Sequence, residues 1–169
     1  HCLSSAASDV YKRQVLGDIE LVVFRAIDKL DRLGLEGVKN LLAKGRTDSS
    51  GDFTEGANLS ADQIDTIISF LQITNDDPYK TLEEMKYLIG DSEIGQQGIS
   101  ELGNITDTLL SKDISNLSFK IDPSVVRGLA YYTGTVFETE LSTPTRSLGS
   151  ISGGGRYDDL VSRFTGQKV

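Results

Sequence analysis

The chain has 169 residues, 17 Lys and Arg against 25 Asp and Glu, a formal net charge of −8, and 38% hydrophobic and 7% aromatic residues. A chain of this length buries a sizeable core without staples, and its single Cys excludes an internal disulfide. No run approaches the roughly 20 apolar residues of a membrane-spanning helix, and an acidic balance argues against a surface devoted to phosphate backbones, so a soluble protein of a reducing compartment is expected.

The first fourteen residues, HCLSSAASDVYKRQ, are rich in Ser and Ala and have no apolar period. Asp9 to Gln14 resembles the translated end of a sequencing-library adapter, and no apolar stretch of signal-peptide length is present, so residues 1–14 are set aside as a foreign leader. From Ile19 the pattern turns helical. Ile19, Val22, Val23, Ala26, Ile27, Leu30 and Leu33 recur at three- and four-residue steps and end at Gly34, which predicts one amphipathic helix with a glycine C-cap. A short helix is expected over Glu36 to Lys44, then a loop over the polar run Gly45 to Asn58. Ser60 and Gln63 have capping-box spacing, opening a helix with Ile64, Ile67, Ile68 and Leu71 on one face and an end near Ile73. Asp76-Asp77-Pro78 opens another with Leu82, Met85, Leu88 and Ile89, and Ile94 to Leu110 repeats the pattern through Ile99, Leu102, Ile105 and Leu109.

At Leu117 the period changes. Phe119 to Asp122 alternates apolar and polar, Tyr131 to Leu141 is rich in Tyr, Thr, Val and Phe, and a turn at Thr143-Pro144-Thr145 precedes Leu148 to Ser152, which predicts antiparallel strands. After Gly153, Gly154 and Gly155 a helix is expected with Tyr157, Leu160, Val161 and Phe164 on one side. The fold class is α+β.

Without residues 1–14 the chain has neither Cys nor His, so zinc sites of the Cys/His kind, thiol nucleophiles and His-based triads lack their central atoms. Chemistry must run on Arg, Tyr, carboxylates or backbone amides. The only Met is Met85, and the charged stretch Thr165 to Val169 has no terminating element, so the chain reads as an internal piece of a longer protein. In VVRGLAYYTGTVFE, Arg127 and Gly128 precede a strand that carries Tyr131 and Tyr132 on opposite faces. This arrangement can hold a guanidinium fork and a phenol over a phosphate or carboxylate, although from the local pattern alone a surface Arg127 with packing tyrosines is the favoured reading. In SISGGGRYDDLV three glycines stand at a strand-to-helix junction, where bare backbone admits a ligand and helix amides attract anions. Val136 and Phe137 are assigned to the core.

Taken together, RGLAYYTGTVFE at Arg127 to Glu138 and SGGGRYDDLV at Ser152 to Val161 resemble the two signature motifs of the histidyl-tRNA synthetases, class II aminoacyl-tRNA synthetases. RAIDKLDRLGLEGV at Arg25 to Val38 is similar to the bacterial form of that family's helical insertion. The resemblance covers Val15 to Val169. It implies a helical insertion subdomain over 15–116, followed over 117–169 by part of a class II antiparallel sheet core with a flanking helix.

The function implied is histidine-tRNA ligase: histidine attacks the α-phosphate of ATP to give histidyl-adenylate, and the acyl group passes to tRNA(His). Arg127 matches the family's catalytic arginine. Arg127, Tyr131, Tyr132, Gly153, Gly154, Gly155, Arg156 and Tyr157 are carried over as the histidine and adenylate site, with Tyr132 the candidate for bonding the imidazole and Tyr157 a second aromatic wall. ATP is a substrate and Mg²⁺ accompanies it, with no metal ligand assigned in this chain. The resemblance also implies a cytoplasmic homodimer with no membrane association, and no aminoacylation by these 169 residues alone. Ala130 stands where most members carry Asp. Lys39, Lys44 and Arg46 are the one basic cluster that offers itself to RNA, against the plainer reading of a solvated face. Two other readings remain: the synthetase-like regulatory subunit of ATP phosphoribosyltransferase, whose motifs are usually eroded where these are intact, and a helical interaction module with a β appendage.

Overall fold

The computed structural model describes residues 2–3, 18–115, 118–126, 132–143, 146–158 and 160–167. Helix α1 spans Asp18–Ile27, α2 Leu30–Leu42, α3 Ala61–Leu71, α4 Pro78–Ile89 and α5 Glu93–Ser111. The single helix expected to run to Leu33 is in fact broken. Asp28 and Lys29 close the end of α1 with bonds from their amides to Phe24 and Ala26, and the Leu33 amide then donates to Lys29 to begin α2. Apolar spacing runs through this corner unchanged because Ile27 and Leu30 reach one core from two helices. Gly34, at φ 65° and ψ 177°, kinks α2, so the residue expected to cap one helix bends the next.

The predicted loop over 45–58 contains a hairpin, β2 (Gly45–Thr47) paired with β3 (Phe53–Glu55). Its turn is built by polar atoms, since Asp48 Oδ1 accepts from the Ser50 amide at 2.8 Å and the Asp52 amide at 3.1 Å. Such a hairpin carries no apolar alternation. The helix starts follow the sequence more closely. Ser60 Oγ accepts from the Gln63 amide at 3.4 Å while the Ser60 amide donates to Gln63 Oε1 at 2.9 Å. Asp77 caps α4 with Pro78 in its first turn, and Ser92 Oγ accepts from the Gly95 amide to cap α5.

These helices enclose one core, in which Val23, Ile27, Leu42, Ile67, Phe70, Met85 and Leu102 are almost wholly buried. Ile121 joins it from beyond α5. The strand expected over 119–122 reduces to a single bridge residue at Ile121. Lys120 Nζ reaches Asp122 at 2.6 Å and the Ser124 amide donates to the same carboxylate at 3.0 Å, which turns the chain instead of extending it.

The second sheet has the order β1-β4-β5, with β1 Cys2–Leu3, β4 Val136–Thr143 and β5 Arg146–Gly155, all pairs antiparallel. Cys2–Leu3, set aside in the sequence reading, adds a two-residue edge to β4. Ladder hydrogen bonds are made by backbone, so an open strand edge accepts any extended segment. Thr143 pairs with Arg146, and Pro144 and Thr145 of the expected turn lie outside the described residues. Helix α6, Leu160–Thr165, is the last described element.

Candidate functional site

The β4–β5 ladder sets Val136 opposite Gly155, Phe137 opposite Gly154 and Glu138 opposite Gly153. The glycines therefore lie within a strand, and α6 begins only at Leu160, so they are not the strand-to-helix junction expected from the sequence. Strand β4 likewise begins later than expected, at Val136, leaving Tyr132 ahead of it. Antiparallel pairing continues past the strand ends: the Thr133 amide donates to the Arg156 carbonyl at 2.9 Å, and the Arg156 amide donates to the Thr135 carbonyl at 3.0 Å. This brings the two sequence motifs together. A Cβ placed on Gly155 would stand 2.6 Å from Cδ1 of Tyr132, so the half-buried ring lies flat on a position only glycine leaves open.

The Arg156 side chain binds three groups here. Its Nη1 donates to Glu101 Oε2 on α5 at 3.1 Å, its Nε to Asp158 Oδ2 at 3.1 Å, and its Nη2 to the Thr133 carbonyl at 3.4 Å. Desolvation works against its charge, but the Glu101 and Asp158 carboxylates outweigh it and hold the guanidinium above its ordinary value. The group packs on Gly134, where a Cβ would stand 2.6 Å from both Cζ and Nε. A cavity of about 550 Å³ opens beside it, walled by Glu101, Asn104 and Ile105 of α5 and by Thr135, Phe137, Gly154, Gly155 and Arg156.

Of the residues singled out from the sequence, Tyr132, Gly154, Gly155 and Arg156 meet at this place, Gly153 precedes them on the same strand as Gly154 and Gly155, and Tyr157 is half-buried next to Arg156. Arg127 and Tyr131 lie outside the described residues, as does Ala130. Phe137 is 42% exposed and walls the cavity instead of filling the core, because its cross-strand partner Gly154 has no side chain to cover it. Glu101 and Thr133 went unnoticed in the sequence. Only the Thr-Gly pair after the tyrosines hinted at Thr133, and nothing local distinguishes Glu101 on its helix. Among the described residues no three carboxylate, Cys or His side chains come together as a metal site. No helix among them is long and apolar enough to cross a membrane.

A second basic group gathers at the β2–β3 hairpin. Lys29, Arg32 and Arg46 line a polar cleft of about 380 Å³ with Asp48, Ser49 and Thr54. Lys39, nominated from sequence with Lys44 and Arg46, instead pairs with Glu36 at 3.6 Å.

The family model described as histidyl-tRNA synthetase matches residues 18–169. The chain is 51% identical over 155 residues to the histidine–tRNA ligase of Roseobacter denitrificans, covering 88% of this chain and 30% of that protein. It is 48% identical over 166 residues to the ligase of Rhizobium meliloti, covering 91% of this chain and 32% of that one. The crystal structure of histidyl-tRNA synthetase from Nostoc sp. PCC 7120 superposes with a TM-score of 0.78 at 28% identity, over 99% of this chain and 37% of that one. A structure from Bacillus halodurans C, described as an ATP phosphoribosyltransferase regulatory subunit/histidyl-tRNA synthetase, has the same fold at 21% identity, with a TM-score of 0.67 over 97% of this chain and 38% of that one. The chain thus spans about a third of the length of the curated relatives it matches.

Proposed function

The chain belongs to the histidyl-tRNA synthetase family, and from that premise we propose that it forms the histidine-activating part of a histidine–tRNA ligase. The observation that carries the reading is the meeting of the two motifs, with the Tyr132 ring lying on Gly155. In the proposed reaction a carboxylate oxygen of histidine attacks the α-phosphorus of ATP, pyrophosphate leaves, and the 3′-terminal hydroxyl of transfer RNA then takes the acyl group from AMP. Arg127 is the proposed catalytic residue: a preoriented guanidinium stabilises charge building on the α-phosphoryl oxygens without reorganisation. Tyr131, Tyr132 and Tyr157 are the proposed aromatic walls around histidine, with Gly153 to Gly155 admitting it close to backbone. Mg²⁺ enters with ATP as part of that substrate. The Lys29, Arg32 and Arg46 cleft is the proposed contact to transfer RNA, because three cations on one cleft suit a phosphate backbone. A cytoplasmic homodimer is the proposed setting. These residues alone, spanning about 30% of their relatives' length, are expected to show no aminoacylation.

The experiment places residues 18–169 into the matching segment of the Roseobacter denitrificans ligase and measures histidine-dependent ATP/pyrophosphate exchange. Exchange that Arg127→Ala abolishes supports the ligase reading. A folded chimera that binds histidine but exchanges nothing would move the assignment to the regulatory-subunit class.

A further inference from the structure

Thr133 is the residue after Tyr132, and Arg156 and its neighbour grip it from three sides. Its amide donates to the Arg156 carbonyl at 2.9 Å, its carbonyl accepts from Arg156 Nη2 at 3.4 Å, and its hydroxyl accepts from the Asp158 amide at 2.9 Å. The same guanidinium reaches across to Glu101 of α5, where the pair is only partly exposed, 47% for the Arg156 side chain and 23% for that of Glu101. Asp158 fixes the remaining edge of the fork through Nε. Gly134 and Gly155 complete the arrangement. The first lets the guanidinium lie on the backbone and the second lets the Tyr132 ring lie on the strand, each at a distance that a Cβ would occupy.

We infer that Arg156 is a positioning residue, a fork through which Glu101 of the helical unit holds Thr133 and so fixes the Tyr132 ring over Gly155. The proposal rests on the ligase reading only for what Tyr132 then does. Three of the guanidinium's five N–H donors end on protein acceptors, two carboxylates and a carbonyl, which fixes its orientation. The helical unit and the histidine site are thereby coupled through the Glu101–Arg156 ion pair: a displacement of α5 is transmitted to Tyr132. A planar fork is needed for this. Lysine supplies the charge at a single point and cannot hold Glu101 and the Thr133 carbonyl together.

The test uses the chimera with Glu101→Ala, Glu101→Gln, Arg156→Ala, Arg156→Lys and the Glu101→Ala/Arg156→Ala pair, and Glu36→Ala as a control on an exposed ion pair. Rates are normalised to titrated active sites. The expected result is a KM for histidine raised about tenfold by Arg156→Ala and about threefold by Glu101→Ala, with KM for ATP unchanged, partial recovery in Glu101→Gln, little in Arg156→Lys, and a double variant no worse than Arg156→Ala alone. Additive effects, or an effect confined to KM for ATP, would overturn the inference. Loss of all histidine-dependent exchange in the unmutated chimera counts against the ligase reading and not against the fork. For that case amide hydrogen exchange at Thr133 in the 169-residue chain decides: about tenfold faster exchange in Glu101→Ala supports the fork, and an unchanged rate sinks it.

Discussion

The Tyr132 ring and Gly155 are in contact where the segment ahead of β4 meets the end of β5, with the site of a glycine Cβ 2.6 Å from Cδ1 and 2.9 Å from Cγ and Cε1. An added methyl there has no flexible end to push aside, since what it meets is the ring itself. Gly155→Ala is therefore expected to displace Tyr132, to lower stability by about 1–3 kcal/mol and to raise KM for histidine in the chimera. Gly154→Ala, whose added Cβ meets nothing within 4 Å, should keep stability within about 0.5 kcal/mol of the parent. Equal thermal midpoints and equal KM values for the two variants would contradict this account.

Asp122 gives the fold a pH dependence. Burial by itself pushes its carboxyl up, but the Lys120 ammonium and the Ser124 hydroxyl and amide outweigh burial and hold it below the usual carboxylate value. A carboxyl lowered in the folded state stabilises the fold above its unfolded value of about 3.9 and loses that contribution as pH falls through the folded value. Asp122→Asn should thus cost about 1–2 kcal/mol near neutral pH, and the gap to the parent should close below about pH 4, read from urea midpoints. A gap of constant size from pH 7 to pH 3 would show that the charge is not its source.

The Ser60 cap is local and separable from the site. Ser60→Ala leaves the Gln63 amide without its side-chain acceptor and should lower stability by about 1 kcal/mol, while Ser60→Asp should restore most of it. Both variants should leave exchange kinetics in the chimera unaltered. If alanine and aspartate give the same melting temperature, the cap contributes nothing measurable.

For the basic cleft, Lys29→Glu, Arg32→Glu and Arg46→Glu together should raise KM for transfer RNA about tenfold or more and flatten its dependence on salt, with histidine and ATP kinetics unchanged. Lys39→Glu, which opposes a charge already paired with Glu36, should change KM for transfer RNA far less. The reverse ranking would return the contact to the Lys39 side of α2.

Helix existence was largely legible in the sequence because each helix carries its own instructions. Ser60 with Gln63 and Asp77 with Pro78 start helices through atoms a few residues apart, and Ile67, Met85 and Leu102 keep a period that one apolar face requires. The corner at Asp28-Lys29 was not, since the apolar spacing continues through it. Nor was the β2–β3 hairpin, which Asp48 organises through polar bonds that leave no hydrophobic signature.

By itself, the sequence determined the family, the α+β class and the two motifs from which the site is drawn, because those features reside in residue types at fixed spacing. Only the tertiary structure decided that the glycines form a strand, that Phe137 lines a cavity and that Arg156 is taken up by Glu101. The physical reason is distance along the chain. Glu101 and Arg156 are 55 residues apart, and an ion pair between them exists only once α5 and the β4–β5 ladder have each formed and come together.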